Sequence, residues 1–108
     1  MQHLTIHHKT GDYSAFPTLQ RHPSGDLYVI FRNAPDDRKE GYTHIDVRST
    51  ALLKKSCDNG QSWTVVGQPI TGHLPQSGVQ DPSLTILSDG TFLLNYFHWR
   101  HQPDHPLA

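Results

Sequence analysis

Two stretches of this sequence follow one pattern, and that constrains the fold more than any other feature. Residues 16–31, FPTLQRHPSGDLYVIF, align without a gap on residues 81–96, DPSLTILSDGTFLLNY, at a constant offset of 65. Pro17 meets Pro82, Leu19 meets Leu84 and Gly25 meets Gly90, while Thr18 meets Ser83, Leu27 meets Phe92, Val29 meets Leu94 and Phe31 meets Tyr96. Self-similarity at a fixed period is the signature of a repeat architecture, so one structural unit is about 65 residues long.

The content of that unit is β. Helical periodicity is nearly absent, and the apolar segments are short, rich in β-branched and aromatic residues, and separated by Gly, Pro, Asn and Asp. TLQRH (18–22) leads through Pro23-Ser24-Gly25 into DLYVIFR (26–32), and TALLKKS (50–56) leads through CDNGQ into SWTVVG (62–67). SLTIL (83–87) leads through Ser88-Asp89-Gly90 into TFLLNYF (91–97). Each pair reads as a hairpin. Asn59-Gly60 supplies the positive φ that a two-residue hairpin turn needs. One unit is therefore hairpin, long loop, hairpin and connection. Four antiparallel strands make up a propeller blade, so the expected fold is all-β with antiparallel four-stranded blades, incomplete in one chain. The expected organisation is an N-terminal segment (1–12), a first blade (13–70), the first half of a second blade (71–97) and a C-terminal tail (98–108). About one and a half blades cannot close a ring, and the half-blade leaves an apolar edge unpaired. The expectation is that the chain is a piece of something longer, or that partners complete it.

Composition narrows the function classes. The 108 residues are 34% hydrophobic with a mean hydropathy of −0.60, which points to a thin core or one completed from outside. A net charge of −1 gives no electrostatic footprint for nucleic acid or an anionic membrane. No stretch approaches the apolar run of a membrane span, and the N-terminal sequence MQHLTIHHKTG has no signal-peptide core, so a cytoplasmic location is the default expectation. Cys57 is the single cysteine, which excludes an internal disulfide and a zinc–thiolate cluster; it reads as a small filler. His98, His101 and His105 have helix-like spacing, but Pro103 and Pro106 argue against a helix there. His7 and His8 would point to opposite faces of a strand. No metal site and no cofactor are expected.

The stretch SCDNGQSW (56–63) is a turn that locks itself. Asp58 can accept hydrogen bonds from backbone N–H groups just beyond it, Ser56 and Ser62 can tie the flanks, and Trp63 can cover the loop. Ser56-x-Asp58-x-Gly60-x-Ser62-Trp63 resembles the Asp-box, or bacterial neuraminidase repeat, of the sialidase superfamily at every defined position. In that family the box joins the third and fourth strands of a propeller blade, which is where the strand reading independently puts it. FPTLQRHPSGDLYVIFR, the long loop, TALLKKSCDNGQSW and QDPSLTILSDGTFLLNYF follow one another as in sialidase-like sequences. The resemblance covers roughly residues 13–100 and implies the N-terminal portion of a six-bladed propeller.

The resemblance also implies a chemistry. Sialoside hydrolysis in the family uses three arginines on the substrate carboxylate, an aspartate as acid/base and a Tyr/Glu nucleophile pair. Guanidinium forks suit a carboxylate, and a carboxyl beside the leaving oxygen can shuttle a proton. The first arginine lies two residues before a proline; here that residue is Ala15, a departure that puts sialic acid itself in doubt. Arg32, in VIFR, matches the place of a second arginine. The acid/base aspartate belongs in the loop NAPDDRKEGYTHIDV (33–47), where Asp37 and Asp46 are both candidates and THID favours Asp46. Arg38 and His44 in the same loop, with Gln80 and Asp81 at the opening of the second unit, are candidate substrate contacts. Asp81 reads equally as a cap before Pro82. The downstream arginine, tyrosine and glutamate have no counterpart. Two functions are therefore expected in competition: glycoside binding or hydrolysis once further blades or copies complete the propeller, or a non-catalytic module that oligomerises through open blade edges, an inactive truncated product being a third possibility.

Overall fold

The computed structural model describes residues 2–36, 48–71 and 77–100. They form six strands and, among the described residues, no helix. The strands are β1 (Asp12–Arg21), β2 (Leu27–Pro35), β3 (Thr50–Ser56), β4 (Thr64–Thr71), β5 (Ser77–Ile86) and β6 (Phe92–Arg100). β1, β2, β3 and β4 make a four-stranded sheet in that order, and β5 pairs with β6 in a second sheet. Every pairing is antiparallel. The chain is all-β, as expected, and neither sheet closes on itself.

β2 and β3 explain how the sheets stack. In β2, Tyr28, Ile30 and Arg32 point to one face while Val29 and Phe31 point to the other, as strand alternation requires. Ile30, Ala51, Leu53 and Ile70 of the first sheet pack against Val79, Leu84, Ile86, Phe92 and Leu94 of the second, which makes the main core. Fully burying a side chain such as Ile30 contributes about 1.5–3 kcal/mol. The opposite face carries Val29, Phe31 and Leu52, joined by Ile6 and Trp63. Both faces of β2 are thus apolar, so it reads as a continuous hydrophobic run rather than an alternating one. β4 is an edge strand of its sheet, and Pro69, which has no N–H to give, fits such an edge.

The repeat holds hydrogen bond by hydrogen bond. In the β1–β2 turn, His22 N–H donates to the Asp26 carbonyl at 2.8 Å and Gly25 N–H to the His22 carbonyl at 2.8 Å. In the β5–β6 turn, Leu87 N–H donates to Thr91 at 2.8 Å and Gly90 N–H to Leu87 at 2.9 Å. Gly25 and Gly90 hold φ of 96° and 89°, which glycine alone adopts without strain.

The first hairpin strands are longer than Pro17 and Pro82 suggest in sequence. β1 and β5 begin several residues upstream of these prolines, because each strand passes its proline through a bulge: the register shifts between Ala15 and Thr18, and again between Gln80 and Ser83. A bulge removes the ladder bond that a proline cannot make. The Asn59-Gly60 turn is also longer than a two-residue hairpin. Both residues have positive φ, 60° and 93°, but the strands end at Ser56 and resume at Thr64 because side-chain acceptors replace the ladder across the loop. Cys57 is exposed and fills no gap.

Candidate functional site

The two ends of the first sheet are chemically different. At one end lie the β1–β2 and β3–β4 turns, tied by Arg21, whose guanidinium donates to the Gly25 carbonyl at 2.7 Å and to Asn59 Oδ1 at 2.9 Å. Lys55 reaches Asp26 across the same end at 3.4 Å. Ser56, Asp58, Gly60, Ser62 and Trp63 form the lock that the sequence suggests. Ser56 Oγ donates to Asp58 Oδ1 at 2.8 Å and accepts from Gly60 N–H at 2.8 Å. Ser62 N–H donates to Asp58 Oδ1 at 2.8 Å, its hydroxyl donates to Oδ2, and the Trp63 indole N–H donates to the Gly60 carbonyl at 2.9 Å. The Ser62 hydroxyl, then its N–H, then the Ser56 hydroxyl hold the Asp58 carboxyl down at about 2. Ser56, Asp58 and Ser62 spend these hydrogen bonds within the turn, while Asn59 ties it to Arg21 on β1.

The other end carries the bulges and the candidate binding residues. Phe16 and Asp81 both sit in the left-handed region, with φ of 58° and 47°, each one residue before a proline. Their positions correspond under the repeat. Such a conformation costs about 1–3 kcal/mol for a residue with a side chain and concentrates at functional positions. Asp81 is exposed and its Oδ1 accepts from Gln80 Nε2 at 3.2 Å, while Phe16 is 44% exposed.

Arg32 lies directly behind this rim. Its cross-strand neighbours are Ala15 on β1 and Ala51 on β3, two small residues that leave room for a long side chain. The side chain is fully buried and crosses to the second sheet, where Nε donates to the Val79 carbonyl at 3.2 Å. Ser49 Oγ donates to the same carbonyl at 2.9 Å. Both donors pin β5 at the residue before Gln80-Asp81. Nearby, Ser14 Oγ donates to Asn33 Oδ1 at 2.6 Å, and Asn33 Nδ2 donates to Asp12 Oδ2 at 3.0 Å.

Of the candidates read from sequence, Arg32, Gln80 and Asp81 are brought to one end of the strands, around Val79. Asp37, Asp46, Arg38 and His44 lie outside the described residues. Phe16 was not singled out in the sequence, although its alignment on Asp81 was visible there. Ser49 gave no sequence signal, because its role depends on a carbonyl 30 residues away. His7 is half-buried and His8 exposed, as adjacent residues in extended chain should be. No group of three or more metal-ligating side chains occurs among the described residues. No described helix is long and apolar enough to cross a membrane.

The fold and site define an all-β chain of stacked antiparallel sheets whose two units share a glycine turn at one end and a bulge beside a proline at the other. It is similar to the crystal structure of a protein of unknown function from Dyadobacter fermentans DSM 18053, with 33% sequence identity and a TM-score of 0.75. The match covers 92% of this chain and 28% of that one, so the chain spans about 28% of its neighbour's length. No protein-family model matches the sequence, and no curated protein matches it.

Proposed function

We propose that this chain is one full blade and half of the next in a sialidase-like β-propeller, and that the completed propeller binds or hydrolyses glycosides with an acidic or polar sugar. The observation that carries this reading is the Asp-box lock at the β3–β4 turn of a four-stranded antiparallel sheet, the position at which sialidase-like blades carry it. The match to a neighbour roughly three times longer supports it, since such a chain has room for further units of this size. In this reading Asp81 takes sugar hydroxyls, Arg32 holds the rim that orients them, Arg38, His44 and Gln80 add contacts, and Asp46 or Asp37 handles the proton.

A second reading has one observation in its favour. Among the described residues β6 pairs only with β5, and Leu93 and Phe97 on it are 51% and 49% exposed. An open strand edge beside apolar surface is a template for association, which suits a non-catalytic module that completes its sheets with other copies. Ala15 in place of the first arginine agrees with it.

Light scattering on a sizing column, combined with a panel of fluorogenic sialosides and other glycosides, separates the readings. A closed oligomer that hydrolyses a glycoside, and loses turnover but not mass on Asp46→Asn or Asp37→Asn, supports the first. A closed oligomer that neither binds nor cleaves any member of the panel supports the second. A monomer without activity or glycan binding overturns both for the chain on its own.

A further inference from the structure

Residues 2–8 run across the face of the first sheet that points away from β5 and β6. Ile6 packs into the cluster of Val29, Phe31, Leu52 and Trp63. The His7 ring lies 5.2 Å from the Phe31 ring, tilted by 41°. Lys54 on β3 is only 8% exposed, and its ammonium donates to the Ile6 carbonyl at 2.7 Å and lies 3.5 Å from His7 Nδ1. Between the segment and the sheet is a cavity of about 290 Å³ lined by Leu4, Ile6, Ala15, Pro17, Val29 and Phe31 among others.

The protonation state of His7 decides whether this arrangement holds. An ammonium has only hydrogens to offer, so Nδ1 can face it favourably only through its lone pair. That places the single proton of the neutral ring on Nε2, which is buried with no partner among the described residues. A second proton would turn Nδ1 into a donor aimed at a cation, while leaving Nε2–H buried and more strongly charged. We propose that residues 2–8 form a pH-gated strap: neutral His7 keeps the segment docked over Val29, Phe31 and Leu52, and protonation of His7 releases it.

The surrounding charges agree in sign. Lys54 opposes protonation from β3, His8 opposes it from the segment itself and Lys9 from just beyond it, Asp12 at the start of β1 favours it, and β2 presents the uncharged Val29 and Phe31. Burial is the largest influence and Lys54 the next, and together they hold His7 below its ordinary value of 6.5. The docked state therefore binds fewer protons than the released one, so docking is strongest above 6.5 and is lost as pH falls through the lowered value. Release uncovers the apolar face of Val29, Phe31 and Leu52.

Nuclear Overhauser contacts test this between about pH 8 and about pH 5, the range in which imidazole titrates. Cross-peaks from the Ile6 methyls and the His7 ring to Phe31 should be strong at the upper pH and lost at the lower one. The edge contact between Tyr28 and Phe92, with ring centroids 4.8 Å apart, reports the main core and should persist. In His7→Phe, which keeps the ring but cannot be protonated, the Ile6–Phe31 cross-peaks should survive at both ends of the range. Persistence of those cross-peaks in the unaltered protein at about pH 5, or their equal loss in His7→Phe, overturns the proposal.

Discussion

Asp58 and Ser62 are joined twice: the backbone N–H of Ser62 donates to one carboxylate oxygen at 2.8 Å and its hydroxyl donates to the other. Asp58 is therefore an acceptor for both flanks of one turn, and the turn's stability is tied to its charge. Its pKa is depressed from 3.8 to about 2, so the folded state favours the ionised form. The stability this brings is complete above 3.8 and is lost as pH falls through about 2. A carboxyl ¹³C titration should find Asp58 half-protonated near that lower value. Ser62→Ala should raise it more than Ser56→Ala, because Ser62 supplies the largest single influence.

Arg32 should matter to stability before it matters to any ligand. Arg32→Met keeps most of the volume between Ala15 and Ala51 but removes a donor from the Val79 carbonyl. A hydrogen bond from a charged donor contributes about 1.5–3 kcal/mol, and urea unfolding should show a loss in that range. Ser49→Ala should cost less, about 0.5–1.5 kcal/mol, since its hydroxyl is a neutral donor to the same carbonyl. Equal effects would mean that the charge on Arg32 adds nothing at that carbonyl.

Gly25 and Gly90 occupy the same turn position and should nevertheless respond differently to alanine. At Gly25, φ +96°, an added Cβ meets nothing, so Gly25→Ala should lose only the left-handed backbone cost of about 1–2 kcal/mol. At Gly90, φ +89°, the Cβ would come within 3.0 Å of His22 Nε2, so Gly90→Ala should cost more. The excess should disappear in a His22→Ala background, which a double-mutant cycle of thermal or urea unfolding measures directly.

Relaxing the bulges should leave the fold intact or strengthen it slightly. Glycine at residue 16 or 81 removes a left-handed strain of about 1–2 kcal/mol and gives back about 0.4–1 kcal/mol in unfolded-chain entropy. Phe16→Gly should gain more than Asp81→Gly, because aspartate tolerates this conformation better than phenylalanine. If the completed assembly binds a glycan, Asp81→Gly should weaken that binding while raising the unfolding midpoint, and glycan titration alongside urea unfolding reads both.

What could be read from sequence was local. The turns at Gly25 and Gly90, and the locked turn from Ser56 to Trp63, are built from residues within a few positions of one another, so their spacing carries their structure. Their strand partners followed from that. The bulges were hidden because Pro17 and Pro82 look like strand starts; only the partner strand shows that the ladder resumes on the far side. Arg32 stood out in sequence only for its place in VIFR, and its burial depends on Ala15, Ala51 and the Val79 carbonyl, none of which is near it in sequence. Residues 2–8 have no pattern of their own. Their docking rests on one isoleucine, one histidine and a lysine on β3.

The matched bulges carry a consequence for how such a chain can change. The unusual backbone at residues 16 and 81 accommodates an aromatic ring in one unit and a carboxylate in the other. The proline that follows and the resumed ladder hold the shape, so the side chain is not what maintains it. Each unit therefore offers one outward position whose chemistry can be exchanged while the sheet beneath stays as it is. A series of such units could diversify what it recognises one residue at a time, with the inherited framework untouched.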